Sequence, residues 1–471
     1  MMNIHSKALA AAVAIALSAS ASVAEAQSVP KFKDGDRVIL IGDSITHCGH
    51  YHSYIWLYYM TRFPYMRIDM EDAGMGGECS WDMLARLEDE VILRNPTYVT
   101  LTFGMNDTGY GDVFNAQDAP EKSKQRVERS LESFRKMEAS LAKMEGTEIV
   151  MIGGSPFDES SKFTSSTIHG KNDAMRAIIA DQKRAAEAHG WGFVDFHDPM
   201  VEISRREQEK DSTFTFCRLD RVHPDCDGQM VMAYLFLKAQ GHGGEMVADV
   251  SITSSGKVKK SGNCKISSVE KSPSGGISFD YQCFSLPFPV DSVSQNGWAN
   301  KRSMKDAMEI IPFQEEFNRE MLQVTGLKKD ALYSLCFDGA EVARFTGAEF
   351  AAGVNLALLD TPQQRQAAAV MYLNEERLMA ERRLVEYRWV RNEYIRKYGM
   401  LDREYEPDVQ QKLLETSKKD FFLGISYNWY KQARDPRIRK VWEDQVRSLT
   451  DSIYRINRPE KHRICIEKTG A

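Results

Sequence analysis

The first half of the chain alternates short aliphatic runs with amphipathic stretches, and this alternation constrains the fold more than any other feature. The runs with the character of buried strands are Val38–Ile41, Tyr98–Phe103, Glu148–Ile152 and Phe193–Phe196. The stretches with helical periodicity are Trp81–Leu93, Glu121–Met144 and Asn172–His189. Such alternation forms right-handed βαβ units, which predicts an α/β fold with a parallel sheet and helices on both faces. Functional side chains of these sheets collect where the strands end.

The second half of the chain has a different character. Period-two patches typical of antiparallel strands lie at Cys264–Val269 and Ile277–Phe284, and Asp338-Gly339 marks a hairpin turn. Two helices are predicted later, each with proline at its first position: Pro362 to Tyr398 and Pro436–Ile456. We expect the first of these to be a solvated helix with one buried stripe. The predicted regions are an α/β domain over 27–244, a β-rich extension over 245–360 and a helical region over 361–471.

The first 26 residues have the pattern of a cleaved export signal. Lys7 precedes the apolar core Ala8–Leu17, and Ala24-Glu25-Ala26 forms an A-x-A cleavage site. The apolar core is about half the ~20 residues that a membrane span needs. The sequence therefore predicts a signal peptide at 1–26, a periplasmic or extracellular protein, and no later membrane span.

Export changes the interpretation of the eight cysteines, because disulfides form in oxidising compartments. The pairs that are close in sequence, Cys217/Cys226 and Cys264/Cys283, are the natural candidates for disulfides. None of the cysteines has the C-x-x-C spacing of a zinc site. The net charge of −6 and the pI near 6.0 argue against nucleic acid as a partner, which would need a basic surface.

Four short motifs place chemistry-bearing residues after the predicted strands. Gly42-Asp43-Ser44 follows the first run, where Ser44 could be a nucleophile or only a helix cap. A glycine-rich loop contains Gly74 and Gly77, and Asn106 follows the strand that ends at Phe103. Asp220 precedes His223 by three positions, a spacing at which a carboxylate can reach Nδ1 of the imidazole and leave Nε2 to accept a proton.

Together and in this order, these motifs resemble the four sequence blocks of the SGNH hydrolase family, also called the GDSL esterase/lipase family. The resemblance covers roughly residues 34–243 and implies a flavodoxin-like three-layer α/β/α sandwich. It implies a catalytic triad of Ser44, His223 and Asp220. It also implies an oxyanion hole built from the backbone N–H groups of Ser44 and Gly77 and the side chain of Asn106. One departure is Asp72, where the family usually has asparagine.

By this resemblance and by export, the chain is expected to be a serine esterase that removes small acyl groups from carbohydrate, with acetyl as the expected group. No metal or organic cofactor is expected. A lipase, lysophospholipase or thioesterase of the same family is the alternative within enzymes. A carbohydrate-binding protein on a retained hydrolase fold is the alternative outside them. The expected partner is thus an acylated small molecule or polysaccharide.

Three histidines, His47, His50 and His52, crowd the positions after Ser44. No second cluster of Asp, Glu or Cys at ligand spacing accompanies them, so a metal site is not predicted. His47, which follows the nucleophile, and Asp107, which follows Asn106, are instead predicted to line the mouth of the substrate site.

Overall fold

The computed structural model describes residues 29–217, 219–272, 275–294 and 302–469. The predicted signal peptide lies outside the described residues. Five parallel strands form the first sheet, in the order β2-β1-β3-β4-β5. They are β1 Arg37–Gly42, β2 Asp69–Gly74, β3 Tyr98–Phe103, β4 Glu148–Gly153 and β5 Gly192–Asp195. This is the flavodoxin-like order of a doubly wound sheet.

Eight helices accompany this sheet within the described residues. They are α1 Ser44–His47, α2 Tyr51–Arg62, α3 Ser80–Glu90, α4 Gly111–Phe114, α5 Ala119–Leu141, α6 Lys171–His189, α7 His197–Lys210 and α8 Cys226–Ala239, with a short 3₁₀ turn at Ile92–Arg94. Strand β1 is apolar on both faces. In β1, Val38 and Leu40 pack toward α2 and α8, whereas Ile39 and Ile41 pack toward α3 and α5. The predicted three-layer α/β/α sandwich is confirmed.

The middle of the chain forms two further sheets that enclose a second apolar core. Their strands are β6 Ala248–Thr253, β7 Val258–Gly262, β8 Cys264–Lys271, β9 Ile277–Cys283, β10 Glu320–Thr325, β11 Leu332–Phe337, β12 Ala340–Thr346, β13 Val354–Asn355 and β14 Lys461–Lys468. The sheet orders are β13-β10-β6-β7 and β12-β11-β14-β9-β8. The predicted β11–β12 hairpin is confirmed, and its turn has positive φ at Asp338 and Gly339. Short helices connect these strands: α9 Met304–Ala307, α10 Phe313–Phe317, α11 Gly347–Ala352 and a 3₁₀ turn at Leu356–Leu358.

Four long helices form the C-terminal region: α12 Pro362–Val390, α13 Pro407–Ser417, α14 Phe421–Ala433 and α15 Pro436–Ile456. A π-helical turn at Arg391–Arg396 continues α12, and a 3₁₀ turn lies at Leu401–Arg403. The helix predicted at Pro436–Ile456 is confirmed with its Asp435 cap. The expectation of a solvated helix after Pro362 is wrong, because α12 packs between α2, α14 and α15 and buries polar as well as apolar side chains. The chain then returns to the β-rich region as β14.

Neither of the two predicted disulfides is formed in the structure, so this prediction is wrong. Cys264 and Cys283 lie opposite each other on β8 and β9, yet they are not joined, and neither are Cys217 and Cys226. Burial raises the pKa of the Cys264 and Cys283 thiols to about 12, because an apolar environment disfavours the thiolate. Among the described helices, none combines the length and the apolar character that crossing a membrane would require.

Candidate active site

Ser44 lies at the carboxyl edge of the sheet, as the first residue of α1 after β1. Asp43 caps this short helix, since its Oδ1 accepts a hydrogen bond from the N–H of Ile45 at 2.8 Å. A side chain at Gly42 would lie 2.1 Å from Oγ1 of Thr46, so only glycine fits the turn. Asp43 is buried, which raises its pKa to about 6, whereas Ser44 is half-buried. Capping is thus the role of Asp43, not of Ser44.

Ser44, His223 and Asp220 form a continuous hydrogen-bonded chain. Oγ of Ser44 lies 2.7 Å from Nε2 of His223, and Nδ1 of the same ring lies 2.7 Å from Oδ2 of Asp220. Oδ1 of Asp220 accepts the backbone N–H groups of Val222 and His223. Partial burial disfavours the carboxylate, but the His223 bond and charge and these backbone bonds outweigh it and lower the pKa of Asp220 to about 2.

The loops that carry Gly77 and Asn106 are joined by a hydrogen bond, and the Gly77 loop passes close to Ser44. Gly77 is exposed with φ of 82°, a left-handed conformation that favours glycine. A methyl group on the preceding Gly76 would lie 3.9 Å from Cβ of Ser44. The side-chain amide of Asn106 donates to the carbonyl of Glu78 at 3.0 Å and accepts from the hydroxyl of Tyr110 at 2.8 Å. The structure therefore links the nucleophile turn with the two loops expected to complete the oxyanion hole.

Asp107 does not line a substrate mouth, contrary to the prediction. Its side chain is fully buried behind the loop that follows β3. Its carboxylate accepts the backbone N–H groups of Ser80 and Gly104, at 2.9 and 3.1 Å, and the hydroxyl of Ser130 at 2.6 Å. These bonds tie the Asn106 loop to the start of α3, so Asp107 holds the loop from inside.

His47 does not line the mouth either, because only 5% of it is exposed and both ring nitrogens have partners. The N–H of Gly76 donates to its Nδ1 at 3.1 Å, and its Nε2 lies 3.2 Å from Oε1 of Glu386 on α12. His50 and His52 are also buried. Within the described part of the chain, no group of three or more His, Cys, Asp or Glu side chains is arranged to hold a metal ion.

Two cations that the sequence does not predict hold the Asn106 loop. The ammonium of Lys171, at the start of α6, donates to the carbonyls of Met105 and Gly109 and to the hydroxyl of Thr108, at 2.5 to 2.7 Å. Its burial lowers the pKa of Lys171 to about 7. Arg126 donates to the carbonyls of the loop at Asn106 and Asp107. Sequence carries no signal for such bonds, because their acceptors are backbone carbonyls that the fold alone brings near.

Comparison with known proteins gives two family matches. A sequence profile described as "GDSL-like Lipase/Acylhydrolase family" matches residues 40–231, and one described as "Diltiazem deacetylase C-terminal helical domain" matches residues 368–458. The solved structure of a gut microbial diltiazem-metabolizing enzyme is 40% identical, with a TM-score of 0.90, over 94% of this chain and 100% of that one. An acetylxylan esterase from Geobacillus stearothermophilus is 27% identical over 234 residues, which cover 45% of this chain and 96% of the relative.

Three observations define the chain as an α/β carboxylic ester hydrolase: its fold, the edge of the sheet at which these side chains lie, and these relatives. It belongs to the GDSL-like lipase/acylhydrolase family, the SGNH hydrolases, and carries in addition a C-terminal helical domain of the diltiazem deacetylase type. The resemblance found in the sequence motifs is therefore confirmed.

Proposed function

We propose that Ser44 is the nucleophile of this esterase, with His223 as general base and Asp220 as the group that orients it. The observation that carries the proposal is the 2.7 Å contact between Oγ of Ser44 and Nε2 of His223. Because the ionised Asp220 accepts the proton on Nδ1, the Nε2 lone pair faces the serine hydroxyl. His223 takes the hydroxyl proton as Ser44 attacks the ester carbonyl, and it returns that proton to the departing alcohol.

The oxyanion formed in this attack is stabilised by the backbone N–H groups of Ser44 and Gly77 and by the side-chain amide of Asn106. One such donor typically contributes ~3 kcal/mol of transition-state stabilisation. Water, deprotonated by His223, then attacks the acyl-enzyme, releases the acid and regenerates Ser44. No step in this mechanism uses a metal or an organic cofactor.

We propose acetyl as the acyl group and carbohydrate as its natural carrier. Two relatives support acetyl by name, since one is an acetylxylan esterase and the helical domain is that of a diltiazem deacetylase. Export through the predicted signal peptide at 1–26 would bring the enzyme to polysaccharide outside the cytoplasm. The likeness to a diltiazem-metabolizing enzyme over nearly the whole chain favours a second carrier, a drug-like acetate ester.

The test compares the chain from Gln27 with its Ser44→Ala variant, using a fluorophosphonate probe and a panel of esters. The panel holds acetylated xylan, acetylated sialic acid, diltiazem, and nitrophenyl esters of increasing acyl length. We expect Ser44-dependent labelling and release of acetate, with rates that fall as the acyl chain lengthens. Ser255→Ala, at an exposed turn of the β-rich region, is the control and should behave as the wild type.

Two results would overturn these assignments. If the wild type is neither labelled nor active on any ester, the nucleophile proposal fails and the carbohydrate-binding alternative gains support. If the rate rises with acyl length beyond about eight carbons, the enzyme is a lipase or thioesterase and acetyl is not its natural acyl group. The rates on acetylated xylan and acetylated sialic acid, compared with the rate on diltiazem, distinguish a carbohydrate carrier from a drug-like one.

A further inference from the structure

The N–H and the carbonyl of Gly76 are each bonded to a side chain. Its N–H donates to Nδ1 of His47 at 3.1 Å, and its carbonyl accepts from the indole N–H of Trp389 at 2.8 Å. Trp389 belongs to α12 in the helical domain, more than 300 positions along the chain. Gly76 directly precedes Gly77, the proposed oxyanion donor.

The bond from Trp389 acts on the same peptide unit that carries the Gly77 N–H. A peptide unit is planar and trans, so the Gly76 carbonyl and the Gly77 N–H point in opposite directions. Fixing the carbonyl on the Trp389 indole therefore fixes the direction of the N–H at the other end. A single peptide rotation would turn this donor away from the oxyanion, because neither Gly76 nor Gly77 has a side chain of its own to resist it.

A second link to the helical domain runs through His47. A backbone N–H can only donate, so Nδ1 of His47 must accept from Gly76, and the ring proton lies on Nε2. That proton faces Oε1 of Glu386, one turn before Trp389 on α12, at 3.2 Å. The other oxygen of Glu386 accepts from the hydroxyl of Ser426 on α14. The carboxylate thus selects the tautomer of His47 that can accept from the loop.

Packing supports the same connection. Met75, the residue before Gly76, is buried in the apolar core of the helical domain, among side chains that include Trp389, Tyr430 and Trp442. The N–H of Met75 also donates to the carbonyl of Gly42 at the end of β1, at 2.9 Å. The loop is therefore anchored to the sheet and to the helical domain at once.

We propose that the helical domain is a working part of the active site. Trp389, and Glu386 through His47, are positioning residues that hold the Gly77 N–H in the direction required by the oxyanion. The inference rests on the proposed function, in which Gly77 supplies one of the oxyanion donors. It assigns the domain a role in the reaction that packing alone does not require.

The experiment measures kcat and KM for nitrophenyl acetate, and the rate of fluorophosphonate inactivation, in full-length variants. Trp389→Phe keeps the apolar packing but removes the indole N–H. We expect kcat to fall about 10- to 100-fold with KM within about two-fold, because loss of a whole donor costs about 10²–10³ in kcat. Inactivation should slow in parallel, since the phosphonate oxygen occupies the same hole.

Glu386 gives an independent pair of variants. Glu386→Ala should lower kcat about 10-fold, whereas Glu386→Gln should keep it within about three-fold, because the amide oxygen still accepts from Nε2 of His47. The matched control is Glu375→Ala on the same helix. Glu375 lies 3.3 Å from Nε2 of His50 in a similar contact, but His50 has no bond to the glycine loop among the described residues, and its backbone N–H donates to Gln229. The control for Trp389 is Trp191→Phe, equally buried at the opposite edge of the sheet.

The outcomes separate the two proposals. If the wild type shows Ser44-dependent turnover while Trp389→Phe and Glu386→Ala keep full kcat, the positioning role is wrong and the nucleophile assignment stands. If the wild type has no Ser44-dependent turnover, the proposed function itself fails. Should Trp389→Phe not fold, as judged by its melting temperature, the Glu386 pair decides. Equal loss in Glu386→Ala and Glu375→Ala would also overturn the inference, since both would then act only through stability.

Discussion

At the scale of single residues, Asp72 is the position where the chain departs from its family. Its Oδ1 accepts the N–H of Gly74 at 2.7 Å, a role that asparagine would fill equally well. Burial, together with the nearby carboxylate of Glu381, raises the pKa of Asp72 to about 7. Ionisation of Asp72 therefore destabilises the folded state.

This gives a pH-dependent prediction for Asp72→Asn. In an unfolded chain the carboxyl titrates near pH 4, so its ionisation opposes folding increasingly between about pH 4 and 7 and by a constant amount above pH 7. The variant should match the wild type in free energy of unfolding at pH 4. It should exceed the wild type at pH 8, by at most about 4 kcal/mol. Urea unfolding at both pH values measures this, and an equal difference at both would contradict it.

Lys171 is a buried residue that supports the Asn106 loop. Lys171→Met keeps the length of the side chain but leaves three oxygen acceptors without their donor. We expect a loss of about 2–4 kcal/mol in the free energy of unfolding and a lower kcat, because Asn106 loses its support. Lys183→Met, at an exposed position of the same helix, is the control and should change neither. Wild-type stability and kcat in the Lys171 variant would refute the dependence.

At the scale of elements, the sequence predicts four of the five strands of the catalytic sheet, because β1, β3, β4 and β5 are apolar runs. It does not predict β2, whose sequence DMEDAG carries three acidic residues. Part of the strand is bonded by helix α12, since Arg388 pairs with Glu71 and donates to the carbonyl of Asp72. A strand whose polar groups bond to a helix 300 positions away has no local signature.

The residues of the candidate site also differ in whether the sequence alone predicts them. Ser44, Gly77, Asn106, Asp220 and His223 can be found in the sequence, because each belongs to a short motif with a fixed place in the fold. Glu386 and Trp389 cannot, because on a long helix a polar residue with a distant partner has the same pattern as a solvated one. Periodicity alone therefore predicts α12 as a surface helix, although it lies at the interface.

Variants of the buried ion pair in α12 can measure how much this interface contributes to stability. Arg377 is 1% exposed, donates to Glu381 at 2.7 Å and lies over the ring of Trp56. Arg377→Met should cost about 3–5 kcal/mol, because it leaves the carboxylate of Glu381 buried beside Asp72 without its cation. The double variant with Glu381→Gln should recover much of this loss, which a double-mutant cycle by urea unfolding would measure.

The control for this cycle is on the same helix. Arg365→Met breaks the exposed pair with Asp360, for which we expect at most about 1 kcal/mol. Similar losses in the free energy of unfolding for Arg365→Met and Arg377→Met would mean that burial at the interface does not change what an ion pair contributes to stability.

At the scale of the whole molecule, the chain crosses between its regions twice. The β-rich region interrupts the path from the catalytic domain to the helices, and the last strand returns to it after them. β14 lies in the middle of its sheet, paired with β11 on one side and β9 on the other. Ile464 and Ile466 of this strand are fully buried in the second core. The three regions that follow one another in the sequence therefore do not correspond to independently packed units.

Ending the chain at Pro459 should separate the stability of the β-rich region from that of the catalytic site. Removal of β14 leaves β9 and β11 without their shared partner and opens the second core, whereas the bonds that hold Ser44, Gly76 and Trp389 involve no residue beyond 458. Hydrogen exchange followed by mass spectrometry should show lost protection in β9 and β11 and retained protection in β1 and β3, with fluorophosphonate labelling of Ser44 preserved. Loss of labelling together with protection across the parallel sheet would instead mean that all three regions fold as one cooperative unit.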